Sequence, residues 1–192
     1  MPTITKRYNV TCYLKENKVQ KNNFEIKLID LFWLKSGDEE NDLYAHGHVY
    51  VKIGDEIVCD ENTLDVTVTA AGLYLLRSLS ENYKKGNYDS QLLPCCGFVT
   101  YFDENLRPAI SGCPAGIDWT ITHLTEDLIQ HTSDNGNSAI IKIEDYKKMV
   151  YDFVDKVEEF YQSSLPKILP KDEFELGAYE EIWEEWRELR NK

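Results

Sequence analysis

Three of the five cysteines in this 192-residue chain, Cys95, Cys96 and Cys113, fall in one short stretch, "LPCCGFVTYFDENLRPAISGCPAGIDW". Zinc takes four Cys or His ligands that converge tetrahedrally, and a C-x-x-C knuckle supplies half of such a site. Cys95-Cys96 lacks that spacer, and adjacent side chains of a strand point to opposite faces. A zinc site in this chain therefore has to gather ligands from separate segments: Cys95, Cys96 and Cys113 with His46, His48 and His123. His46-Gly47-His48 has the period-two spacing that puts both imidazoles on one face of a strand. A redox pair is disfavoured, because such pairs usually carry two intervening residues and a helix N-terminus. The simplest reading makes all five, Cys12 and Cys59 included, core or sub-surface thiols that behave as small hydrophobes. On that reading no cofactor is expected; zinc is the one alternative.

Other groups carry weaker chemistry. Asp118 beside Trp119 is a carboxylate in a partly apolar setting, as acid catalysis requires, with His123 near it. No nucleophile accompanies them, and no G-x-S-x-G, G-x-G-x-x-G or P-loop pattern occurs. The turn Ser111-Gly112-Cys113-Pro114-Ala115-Gly116 more simply builds a tight connection. Asp38, Glu39, Glu40 and Asp42 lack the spacing and glycine of an EF-hand loop. Near the C-terminus Glu181, Glu184 and Glu185 read as the solvated face of a helix or, with Asp38, Glu39 and Glu40, as a surface for a basic partner.

Composition limits the partners. The chain has 34 acidic and 21 basic residues, a net charge of −13. That field repels phosphate, so nucleic acid is disfavoured, and no run approaches the roughly 20 apolar residues that span a bilayer. An odd cysteine count without regular spacing suits free thiols in a reducing compartment, so a cytoplasmic location is expected.

The elements that must position these groups read as one α+β domain over 1–192, mainly sheet to residue 143 and helical from 144. The apolar residues at 24, 26 and 28 alternate as in a half-buried strand. Residues 43–60 read as a hairpin turning near Gly54-Asp55, after an edge strand at 8–14. A helix is expected at 69–85, with Thr69 as N-cap and Lys84-Lys85-Gly86 as its ending. Gly72 inside it marks a close approach to the sheet. Short strands at 97–102, 107–111, 116–124, 127–132 and 139–143 form an antiparallel meander. Val150, Phe153, Val154, Val157 and Phe160 recur at helical steps. Two prolines then break the helix, and Tyr179, Ile182, Trp183, Trp186 and Leu189 stripe a last one.

Together "LFWLKSGD", "LLPCCG", "GCPAGIDW" and "DKVEEFYQSSLPKILPKDEFELGAY" resemble a group of uncharacterised bacterial proteins, from Asp30 onward. The resemblance implies a bacterial cytoplasmic setting and transfers no catalytic residue. The reading is a non-enzymatic acidic protein that engages a protein partner with a basic surface, by analogy of size and charge an immunity-type protein that neutralises a toxin. Zinc binding or a metalloenzyme through the Cys and His groups is the alternative.

Overall fold

The computed structural model describes residues 23–34 and 39–192. The strand expected at 8–14, Cys12 within it, and Asp38 lie outside those residues. The fold is α+β, with the antiparallel strands of the described residues gathered in four small sheets, a helix between two strand groups and two helices at the C-terminal end.

Strand β1 (Phe24–Leu28) buries Phe24, Ile26 and Leu28 and exposes Lys27, as its alternation requires. It pairs with β3 (Val49–Ile53), and β3 turns into β4 (Glu56–Cys59). Gly54 makes that turn with φ +61, a left-handed conformation that glycine adopts without a Cβ penalty. Before β3, β2 (His46–Gly47) pairs with β5 (Val66–Thr67). A second hairpin joins β6 (Thr100–Phe102) to β7 (Pro108–Ile110). The third unit is the meander of β8 (Thr120–His123), β9 (Leu128–Thr132) and β10 (Ser138–Lys142). Glu56 ties it to the first sheet, its carboxylate accepting from Ser133, from Asn135 at 2.7 Å and from Asn137 at 2.9 Å.

Helix α1 (Val68–Arg77) is buried along its whole length. Thr69 does not cap it; its hydroxyl accepts the Ala45 N–H at 2.9 Å and bonds the Tyr161 hydroxyl at 2.8 Å. The helix also ends earlier than residue 85. Tyr83 exchanges both backbone hydrogen bonds with Ile121, each 2.9 Å, and donates its hydroxyl to Asp118. Pairing at a sheet edge satisfies the same backbone groups that another helical turn would use. The apolar approach at Gly72 is to a helix rather than to the sheet.

That helix is α3 (Glu173–Arg190), which follows α2 (Ile143–Ser163). Asp172 caps α3 through two 3.0 Å bonds from the N–H groups of Phe174 and Glu175. Tyr146, Val150, Phe153, Val154 and Val157 of α2 join Tyr179, Ile182, Trp186 and Leu189 of α3 in one core with the faces of α1, β1 and β3. No helix among the described residues is long and apolar enough to cross a membrane.

Candidate three-thiol site

Residues 94–99 form no strand. Pro94 starts the bend with its carbonyl accepting the Thr67 N–H at 2.7 Å. Gly97 is pressed on the other side against Thr67, whose Oγ1 accepts the Gly97 N–H at 3.1 Å. A Cβ on Gly97 would lie 3.0 Å from Ile110 and 3.1 Å from Thr67, so the close approach uses its missing side chain. The bend cancels the alternation that would have sent Cys95 and Cys96 to opposite faces. Their sulfurs lie 3.2 Å apart.

The third sulfur arrives from the turn after β7. Gln91, 3 % exposed, holds that turn with both ends of its amide. Its Oε1 accepts the Cys113 N–H and its Nε2 donates to the Cys113 carbonyl, each at 3.0 Å. Glycines flank the clamp because Gln91 fills the space a side chain would take: a Cβ on Gly112 would lie 2.6 Å from Gln91 Oε1, and one on Gly116 2.2 Å. The clamp sets Cys113 Sγ 2.6 Å from Cys95 Sγ. All three sulfurs lie within 4.8 Å of one another. Cys95 and Cys113 are partly covered and Cys96 is exposed, as are Phe98 and Val99 beside it.

The two inner thiols differ in acidity. Burial alone would raise Cys113, but hydrogen bonds from the Cys95 thiol, the Ala115 N–H, the Cys96 thiol and the Gly116 N–H outweigh it and bring Cys113 down to about 7. Successive backbone N–H groups converging on one atom make an anion-binding nest. Cys95 moves up, by burial first and then by donating to Cys113. Cys113 is therefore the more acidic of the two inner thiols and Cys95 the less acidic. Of the thiols expected in the core or just below the surface, Cys59 is 1 % exposed, with burial raising it to about 11, and Cys95 and Cys113 are partly covered, whereas Cys96 is exposed.

The histidines are engaged elsewhere. The three cysteines are the group whose ligand atoms meet among the described residues, without His46, His48 or His123. His46 is buried with its ring between Phe32 and Phe98 and its Nε2 3.8 Å from Asp42. His48 lies between Asp30 and Asp65, 2.9 Å from each. His123 donates from Nε2 to the Ser78 carbonyl at 3.0 Å. Spacing aligned His46 and His48, yet β2 ends at Gly47 and β3 begins at Val49, so the pair straddles a strand break.

Asp118 is a structural acceptor. Its carboxylate takes the Tyr83 hydroxyl at 2.6 Å and the N–H groups of Gly86 and Leu92 at 3.0 and 3.3 Å. Burial nevertheless raises it. Trp119 is fully buried and donates to His131 Nδ1 at 3.1 Å. Of the acidic surface residues, Glu181 and Glu184 are exposed, as is Glu40, whose carbonyl accepts the Ile168 N–H. Glu39 accepts the Leu165 N–H and the Lys167 ammonium. Glu185 is committed to Arg77 and Arg107. Gln91 was missed in the sequence; its only signal there is an amide directly before two apolar leucines.

No family model, curated protein or solved structure matches this chain.

Proposed function

We propose that this protein binds a thiophilic metal ion, zinc in the first instance, through Cys95, Cys96 and Cys113. The observation that carries the reading is the convergence of three sulfurs from two segments, with hydrogen bonds that lower the Cys113 thiol to about 7. Thiolate is the form that ligates, and soft sulfur donors select zinc or Cu(I) over hard cations. Zinc–sulfur bonds of about 2.3 Å in a tetrahedron place sulfurs about 3.8 Å apart. The Cys95–Cys113 sulfurs at 2.6 Å and the Cys95–Cys96 sulfurs at 3.2 Å thus open by about 1 Å to take the ion. That requires side-chain rotation within the Cys95–Cys113 pair as well as at exposed Cys96. The fourth position is left to water or an exogenous ligand. Zinc titration against a chromogenic chelator tests it, followed by native mass spectrometry. One equivalent of zinc is expected, lost in Cys96→Ser and in Cys113→Ser. Unchanged metal content in both variants would remove the reading.

A second reading has its own observation. Glu181, Glu184 and Glu188 stay exposed along α3 beside Leu106, which is 81 % exposed at a left-handed φ of 59. A solvent-facing leucine in that conformation, lining one recess with Glu181, Glu184 and Glu188, suits a protein partner with a basic, apolar-pocketed surface. Affinity that collapses on Leu106→Asp and weakens with salt is the expected result; binding indifferent to both removes this reading.

A further inference from the structure

The separation of Cys95 and Cys113 raises a different chemistry at the same sulfurs. At 2.6 Å they are closer to a disulfide, about 2.05 Å, than to the edge of a zinc tetrahedron, about 3.8 Å. Gln91 fixes one partner from the buried side, and the bend at Pro94 and Gly97 fixes the other. Cys96 lies on the solvent side. A bond between Cys95 and Cys96 would close a strained ring around one peptide unit, whereas Cys95 and Cys113 belong to separate segments.

We propose that Cys113 and Cys95 form a thiol–disulfide exchange site for low-molecular-weight disulfides of the glutathione class. The Cys113 thiolate attacks one sulfur of the disulfide; a Cys113–S–S–R bond forms, the R–S–S–R bond breaks, and one thiolate leaves. Cys95 then gives up its proton and attacks Cys113 Sγ, and the second R-thiolate leaves. Cys113 and Cys95 are oxidised to one disulfide, and one small disulfide is reduced to two thiols, one protonated by the Cys95 proton and the other by the solvent proton that Cys113 had released. Cys96, 3.2 Å from Cys95, remains a free thiol. The product has lost two of its three sulfur ligands, so the disulfide and metal-bound forms exclude each other. This inference rests on Cys95 and Cys113 meeting in the centre read above as a metal site, not on any particular ion.

The test uses the full chain in a Cys12→Ser background, incubated with oxidised glutathione at neutral pH, acid-quenched, alkylated and read by intact and peptide mass spectrometry. The expected product has lost two hydrogens, with the Cys95 peptide linked to the Cys113 peptide. Cys96→Ser is expected to keep the link, and Cys95→Ser to stop at a glutathione adduct on Cys113. Buried Cys59 is expected to stay reduced, at least tenfold slower than Cys113. Stable adducts or unreacted thiols in the unmutated triad would overturn the exchange, as would a link that uses Cys96 instead of Cys113. A parallel arm preloads zinc. Linkage in a protein that retains no zinc leaves exchange standing and removes the metal reading. Zinc retained by a protein whose apo form never links does the reverse.

Discussion

Gly72 of α1 lies so close to Trp186 of α3 that a Cβ on it would stand 2.2 Å from the indole Cη2. The indole has little room to retreat, being fully buried with its Nε1 donating to Glu158 at 2.6 Å. A glycine that weakens the helix locally thus admits the largest side chain of the neighbouring helix. Gly72→Ala is expected to destabilise the fold by about 1–3 kcal/mol through overpacking, lowering Tm by about 2–4 °C per kcal/mol. Urea denaturation measures it. A variant as stable as the parent would mean that the indole swings aside freely.

Glu185 joins Arg77 and Arg107 into a partly buried network. Arg77 donates to it at 3.0 and 2.5 Å and also to the Pro108 carbonyl at 2.6 Å. Arg107 donates at 2.8 and 2.6 Å. Burial would raise the Glu185 carboxyl, but Arg77 and then Arg107 reverse that and hold it below 4.5. A depressed folded-state pKa contributes stability above the unfolded value, lost as pH falls through the folded one. Glu185→Gln, which leaves Arg77 buried beside a neutral partner, is expected to cost about 3 kcal/mol at pH 7. The gap from the parent should close below pH 4.5 in denaturation curves measured across pH.

Thiol reactivity at Cys113 should follow its thiolate fraction. Iodoacetamide labelling of this residue is expected to rise with a midpoint near pH 7, well below an ordinary cysteine at about 8.5. Cys95→Ala removes the largest hydrogen bond to the thiolate and is expected to move the midpoint upward. An unmoved midpoint would assign the effect to the Ala115 and Gly116 N–H groups and the Cys96 thiol.

Gln91 positions Cys113 without offering a sulfur ligand itself. Gln91→Ala deletes both amide contacts and leaves the backbone N–H and carbonyl of Cys113 without them. The cost is about 1–3 kcal/mol. Zinc affinity should fall along with stability, while the Cys113 labelling midpoint shifts toward that of a free thiol. Lost stability with intact zinc affinity would confine Gln91 to the fold.

The alternation at Phe24, Ile26 and Leu28 and the helical steps from Val150 to Val157 and from Tyr179 to Leu189 were legible in the sequence, because periodicity records which face is buried. So was the Gly54 turn, where the chain needs a left-handed residue. The end of α1 was not. Whether residues 78–85 continue a helix depends on Ile121, a strand that the chain reaches only later. The site divides in the same way. Residue types showed that thiol chemistry was available, but alternation placed Cys95 and Cys96 on opposite faces, period-two spacing promoted His46 and His48 as partners, and residue type alone added His123. Tertiary packing reversed both: Gly97 against Thr67 bent the strand, and Gln91 carried Cys113 across to Cys95. Local sequence determines which face of an element is buried; only contacts between distant segments decide which sulfurs meet.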